Sequence, residues 1–208
     1  FNNVAVTAQA LTDRGQRVAI IDFDAHHGNG TQDAFVDRDD VLFISLHEYP
    51  QYPGTGSLRE RGVGAGTGYT INIPLPSGAT GHVYLRAFDE IIEPALVRFH
   101  PDWILVSAGF DAHRADPLTQ LGLTAGDYAD LSARIAAVAP AGRRIAFLEG
   151  GYDLSALAHS TAAFVGAFLG VEHRPEASTS GGPGDGVIDA LLASAEGPPE
   201  SAVRSRRR

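Results

Sequence analysis

Five short runs of mostly apolar residues punctuate the chain, at 18–21, 41–45, 69–73, 103–107 and 145–148. Each is four or five residues long and rich in Val, Ile, Leu or Phe, the pattern of strands buried on both faces. Between them the apolar positions fall at helical spacing. Residues 2–11 predict a helix that stops near Gly15, and residues 81–99 predict a longer one that Pro94 kinks or restarts. Thr124 caps a helix running to Val138, with Asp127 three positions on in the manner of a capping box. Residues 154–169 form a last helix, ended by Gly170. Strands alternating with helices predict an α/β fold with a largely parallel sheet. Gly62, Gly64, Gly66 and Gly68 precede a strand and open no helix, so they read as a flexible hairpin-like loop and not as a dinucleotide fingerprint. From Glu172 the composition turns to Pro, Gly, Ser, Glu and Arg. The domain is therefore expected to end at 171, with disorder over most of 172–208, one short helix at 187–195 and a basic tail.

The 208 residues suit one domain with one sizeable core. No apolar run approaches the ~20 residues of a membrane span, and no charged-then-apolar leader opens the chain. A cytoplasmic protein that does not engage a membrane is the expectation. A formal charge of −9 argues against binding nucleic acid through its phosphates. With no Cys, a metal ion must be held by His, Asp or Glu. The chain contains no Met and begins at Phe1, which leads us to expect a piece of a longer protein.

Polar residues gather after the predicted strands. Asp22-Phe23-Asp24-Ala25-His26-His27-Gly28-Asn29-Gly30 follows the first, Leu46-His47 the second, Gly109-Phe110-Asp111-Ala112-His113 the fourth, and Glu149-Gly150-Gly151-Tyr152 the fifth. Open α/β sheets bind ligands beyond the carboxyl ends of their strands. Alternate side chains of an extended segment point to one side, so Asp24 and His26 can offer an oxygen and a nitrogen to one ion. Asp111 is the candidate third ligand. Three protein ligands and an open position describe a catalytic site, and oxygen with nitrogen suits Zn²⁺, Fe²⁺ or Mn²⁺. His27, beside a glycine turn, reads as satisfying a buried hydrogen bond. Gly150-Gly151 lets backbone come close to a ligand and sets Tyr152 at a strand end.

These segments resemble the histone deacetylase family. Asp22 to Thr31 is similar to its central zinc motif. Ser45-Leu46-His47 with Pro53-Gly54-Thr55-Gly56 is similar to the next segment, and Gly109 to His113 with Asp116-Pro117 to the segment carrying the third zinc ligand. Glu149-Gly150-Gly151-Tyr152 is similar to the segment of the catalytic tyrosine. The resemblance runs from about Phe1 to Gly170. It implies an arginase-like α/β fold, zinc on Asp24, His26 and Asp111, and Tyr152 as donor to the oxyanion. It also implies a structural potassium near Asp22, Asp24, His26, Ser45 and Leu46, and a second near Phe35, Arg38, Val41 and Tyr69. Pro53, Gly54, Leu118, Gly150 and Gly151 would line the substrate channel. The substrate class would be an acetylated lysine in a protein or peptide, or an acetylated polyamine.

One departure matters. In the family, the general base comes from a His-His pair in an upstream Pro-Gly-His-His segment, oriented by residues matching Asp22 and Asn29. This chain holds no such segment; its one His-His is His26-His27. The chain is therefore expected to have little deacetylase activity and to lack part of the acyl-lysine tunnel and an edge of the sheet. A two-manganese ureohydrolase fits less well, because Gly28 and His113 stand where a second ion needs Asp. An acetylpolyamine deacetylase is a nearer alternative, and the uncharged Leu118 favours acyl-lysine over a cationic polyamine. A non-catalytic acetyl-lysine binder or scaffold is the third; it has no need of Tyr152.

Overall fold

The computed structural model describes residues 1–194; the terminal arginines lie outside the described residues. Among these residues five strands make one sheet: β1 (Val18–Asp22), β2 (Val41–Glu48), β3 (Thr70–Leu75), β4 (Trp103–Ala108) and β5 (Arg144–Leu148). Every neighbouring pair runs parallel, in the order β3-β2-β1-β4-β5. The chain steps outward from β1 through β2 to β3, then crosses back to lay β4 on the other side of β1. The order therefore reverses between β1 and β4, and the carboxyl ends there are the natural place for a ligand. Register sets Asp22 beside Ser45 on one side and beside Ser107 on the other.

Helices cover both faces, giving three layers. On one face, α1 (Asn3–Thr12) and α2 (Asn29–Phe35) bring Val4, Ala8 and Phe35 against Val18, Ile20, Phe43 and Leu105. On the other lie α3 (Gly81–Ala87), α4 (Glu93–Phe99), α5 (Ala125–Val138), α6 (Leu154–Phe168) and α7 (Asp185–Ala193). They pack Val83, Leu96, Leu131, Phe164 and Ile188 into one core with Ile21, Ile44 and Val106 of the sheet. Burial on both faces is why β1 and β2 are continuous apolar runs. Each such side chain contributes roughly 1.5–3 kcal/mol on leaving water.

Four expectations change on folding. The 81–99 helix restarts at Glu93–Pro94, one of the two outcomes expected of Pro94, but the π-helical segment at Phe88–Ile92 that joins α3 to α4 was not expected. Pro94 sits in the first turn of α4, where its missing N–H costs nothing. The helix α2 was not expected, because Asn-Gly-Thr-Gln-Asp-Ala-Phe carries no apolar repeat. The glycine loop is no free hairpin. It forms a short 3₁₀ turn at Gly64–Gly66 held by Val63 N–H on Val36 O, and Gly66 sits where a Cβ would strike the Val36–Arg38 backbone.

The fourth change is the expected disorder beyond 171, which does not hold for 172–194. Glu176 accepts from His113 Nε2 (2.8 Å), Arg114 (2.9 Å) and the Ala125 N–H (2.8 Å). Asp127 accepts from the Thr179 N–H and hydroxyl, both at 2.8 Å. Arg86 reaches Asp185 and Asp189, and Ile188 is fully buried. This segment is held by ion pairs and helix-end contacts that its composition does not advertise.

Candidate metal centre

Asp24, His26 and Asp111 come together at the reversal between β1 and β4, with one ligand atom from each within 4.8 Å of the others. Backbone geometry aims them. Gly150 N–H donates to Asp24 Oδ2 (2.8 Å), which leaves Oδ1 turned to the His26 side. The Ala25 N–H donates to Asp111 Oδ1 (2.9 Å), which leaves Oδ2 at 2.9 Å from His26 Nδ1. Asp24 Oδ1 stands 3.3 Å from the same nitrogen. Each carboxylate thus gives one oxygen to a strand-end amide and sets the other near His26 Nδ1, Asp24 Oδ1 also accepting the His26 backbone N–H (2.9 Å). Asp111 is wholly buried. Its hydrogen bond, and then that of Asp24, hold the His26 imidazolium up to about 10. Two carboxylates pulling on one proton at a shared point is the demand that a divalent cation satisfies, and the oxygen and nitrogen donors suit zinc or iron. The set fits a metal ion.

Room for a substrate lies on both sides. A cleft of about 280 Å³ is lined by Asp22, Asp24, His26, Gly28, Ser107 and Glu149, among others. A wider mouth of about 660 Å³ is lined by Asp24, His26, Tyr52, Leu118, Glu149 and Tyr152, among others. Tyr152 is 55% exposed there, and its N–H is fixed on Asp116 Oδ2 (2.7 Å). Burial, then the charges of Asp111 and Asp24, raise its hydroxyl above the usual phenol range, so it stays a proton donor. Gly150 has no space for a side chain: a Cβ would press on the carboxylates of both Asp111 and Asp24.

The sequence-predicted residues divide here. Gly150 and Leu118 line the mouth, whereas Gly151 backs onto Phe110 and Leu157. From the loop after β2 it is Tyr52 that lines it, not Pro53 or Gly54. Tyr52 lies in the 48–56 loop that the sequence marks as lining the entrance, though the residue itself was not singled out; Leu148 and Glu149, just before Gly150, also line the mouth. Asp22 is buried and accepts the Asp24 N–H (3.1 Å), and burial, then Asp24, raises its carboxyl well above the usual range. Asn29 is exposed at the start of α2, between the lining residues Gly28 and Gly30. His27 does satisfy buried hydrogen bonds, to Thr55 (2.8 Å) and Gln32 (3.1 Å). Beside it His47 binds Ser45 and the Gly56 carbonyl, and burial, then His27, push it down to about 4. Ser45 and Leu46 are buried in β2, next to Asp22. Phe35 and Arg38 end α2 and its turn, Val41 opens β2, and Tyr69, just ahead of β3, bonds through its carbonyl to Phe43 N–H.

Residues 1–168 match the model of the histone deacetylase domain. The chain belongs to the histone deacetylase family. It is 51% identical over 175 residues to histone deacetylase 10, chloroplastic, of Oryza sativa subsp. japonica, covering 82% of this chain and 40% of that protein. It is 43% identical over 186 residues to human histone deacetylase 9, covering 84% of this chain and 18% of the relative. The solved structure of the histone deacetylase Clr3 superposes with a TM-score of 0.85 at 37% identity, over 92% of this chain and 34% of that one. The chain thus spans less than half the length of either curated relative. The shared fold is the arginase/deacetylase arrangement of a parallel sheet between helices.

Proposed function

We propose that this histone deacetylase domain serves zinc-dependent removal of the acetyl group from N-acetyl-lysine in a peptide or protein. The observation that carries the reading is the convergence of Asp24, His26 and Asp111, two of which share an open cleft with Tyr152 and Tyr52. A bound Zn²⁺ supplies Lewis-acid polarisation of the acyl carbonyl and acidifies a water. The chain's own residues do the rest. Tyr152 would donate a hydrogen bond to the oxygen that gains charge, a contribution often worth ~3 kcal/mol. Gly150 and Ala25 N–H groups hold the two carboxylates still, so no reorganisation is needed as charge develops. Tyr52 and Leu118 offer apolar walls to an aliphatic lysine stem, and the uncharged Leu118 supports acyl-lysine over an acetylated polyamine. Fe²⁺ suits the same donors, and metal analysis of the purified protein distinguishes the two.

The same reading places a structural K⁺ by Asp22, Asp24, His26, Ser45 and Leu46, and a second by Phe35, Arg38, Val41 and Tyr69. The partners are acetylated substrates, with no nucleic acid and no membrane, and the setting is the cytoplasm. Among the described residues no helix is long and apolar enough to cross a membrane.

Little turnover is expected of this 208-residue chain alone. His26 belongs to the metal set, and His27 and His47 are tied to Thr55, Gln32, Ser45 and Gly56. No imidazole among these is free to act as base. The test is hydrolysis of an acetyl-lysine peptide with added zinc, by this chain and by the chain extended upstream. Activity in the extended form alone, lost with a chelator and in Tyr152→Phe, supports the reading. Turnover by the short chain puts the base within these residues, with Glu149 the first candidate. Faster hydrolysis of an acetylated polyamine would replace the proposed substrate.

A further inference from the structure

Asp116 lies in the loop that leads from β4 to α5, and it is buried, with 7% of its surface exposed. Its two carboxylate oxygens serve two different segments. Oδ1 accepts the N–H of Leu118, two residues on (2.9 Å), in the manner of the Asx turn that aspartate favours at a corner. Oδ2 accepts the N–H of Tyr152, 36 positions away (2.7 Å). Leu118 and Tyr152 both line the wide mouth, together with Asp24 and His26. The two need an anchor for different reasons. Backbone bonds between the β4 and β5 segments run on as far as Gly150, whose carbonyl accepts the Phe110 N–H (2.8 Å). Tyr152 comes after Gly150-Gly151, and Gly151 has a φ of +137°, in the permissive range that only glycine enters freely. The next fixed point is the Tyr152 N–H on Asp116. Leu118 follows Pro117, which has no N–H to give. The residues after it are tied elsewhere, the Thr119 hydroxyl to Asp111 O (2.5 Å) and the Gln120 N–H to the buried Glu48 (2.9 Å).

We propose that Asp116 is a positioning residue that fixes Tyr152 and Leu118 relative to each other, so that one carboxylate holds both the oxyanion donor and the apolar wall offered to the substrate's stem. The roles given to Tyr152 and Leu118 rest on the acetyl-lysine reading above; the anchor itself rests on the two hydrogen bonds. The task calls for a carboxylate. Ionised, it accepts on both oxygens, and both bonds are of the stronger, charge-assisted kind. An Asn in the same place has one acceptor oxygen and turns an NH2 group toward the second N–H, so it holds one wall and not both. Position matters at this site because misplacing a reacting group by ~1 Å can slow a reaction ~10²-fold. Donor and wall therefore move together: what disturbs Asp116 disturbs the chemical step through Tyr152 and substrate binding through Leu118.

Amide hydrogen exchange, followed by NMR on the 208-residue chain, reads the anchor without any turnover. Asp116→Ala should speed exchange at both Leu118 and Tyr152 by at least about tenfold, the scale of a lost hydrogen bond to a charged group. Asp116→Asn should free one of the two amides, and it carries the test if the alanine variant folds poorly. The Ala25 and Gly150 N–H groups, which hold Asp111 and Asp24, should keep their protection, and zinc stoichiometry should be unchanged. Steady-state kinetics of the chain extended upstream then separate positioning from general support. There Asp116→Ala should lower kcat by about 10²-fold and raise KM. On a Tyr152→Phe background the same change should raise KM as before but add little further loss in kcat, since the hydroxyl it would misplace is already gone. Unchanged exchange at both amides overturns the proposal. So does faster exchange at Ala25 and Gly150 as well, which is a general loosening, or a kcat loss as large without the Tyr152 hydroxyl as with it. Freed amides in an extended chain that ignores acetyl-lysine would uphold the anchor and sink the substrate reading.

Discussion

At the scale of single residues, the site depends on where two carboxylates aim their second oxygens. Asp111 Oδ1 is already used by Ala25, so Oδ2 is what it can offer a metal ion. Asp111→Asn keeps the shape and removes the charge. Calorimetric zinc titration should then fall from one ion per chain to none, with the melting temperature nearly kept. Gly150→Ala acts on the same atoms from outside, because its Cβ would displace the carboxylates of Asp111 and Asp24. It should abolish zinc uptake and cost about 1–3 kcal/mol, read by urea unfolding, as overpacking commonly does. Asp24, His26 and Asp111 were legible in the sequence because the chemistry of metal ligands restricts residue type. Tyr52 was not, since an aromatic in a loop is as often a packing residue as a wall of a cleft.

At the scale of elements, the segment between α6 and α7 is fastened by Glu176. Burial alone would raise its carboxyl, but hydrogen bonds from His113, the Ala125 N–H and Arg114 prevail and pull it from 4.5 to about 2. A carboxyl lowered in the folded state gives stability that is present above its unfolded pKa and is lost as pH falls through the folded one. That contribution should be whole above pH ~4.5 and fade toward pH 2. Glu176→Gln should lower stability at pH 7 by about 1–3 kcal/mol, the usual scale of hydrogen bonds to a charged group. Its melting temperature should converge on that of the parent as pH drops through this window, and a constant gap down to pH 2 would contradict the assignment. The sequence pattern missed this segment for a physical reason. Its attachments are polar and pair with residues some 50 to 100 positions away, so no local periodicity records them.

Taken whole, the molecule is one sheet covered unequally. Among the described residues seven α-helices divide two to five between the faces, and the larger face reaches as far as α7 through Ile188. Ile188→Ala should cost ~2–5 kcal/mol as a buried truncation. At ~2–4 °C per kcal/mol for a chain of this size, the drop should be plain in a thermal melt. Were residues 185–193 merely a tail, the same substitution would leave the melt unmoved.

The sequence by itself determined which segments become strands, since short β-branched and apolar runs mark them, although β5 is not buried on both faces as β1 and β2 are. It pointed to a candidate metal site as well, since with no Cys the ion-holding side chains are His, Asp and Glu and they cluster after strands. Tertiary structure decided the rest. It placed β4 beside β1 and so brought Asp111, 85 residues from His26, into reach of it. It turned Asn-Gly-Thr-Gln into a helix, placed a π-helical segment within residues 81–99, and fastened a Gly- and Pro-rich segment to α5. Those outcomes rest on pairings between distant residues, whose energies depend on where the chain returns and leave no local pattern to read.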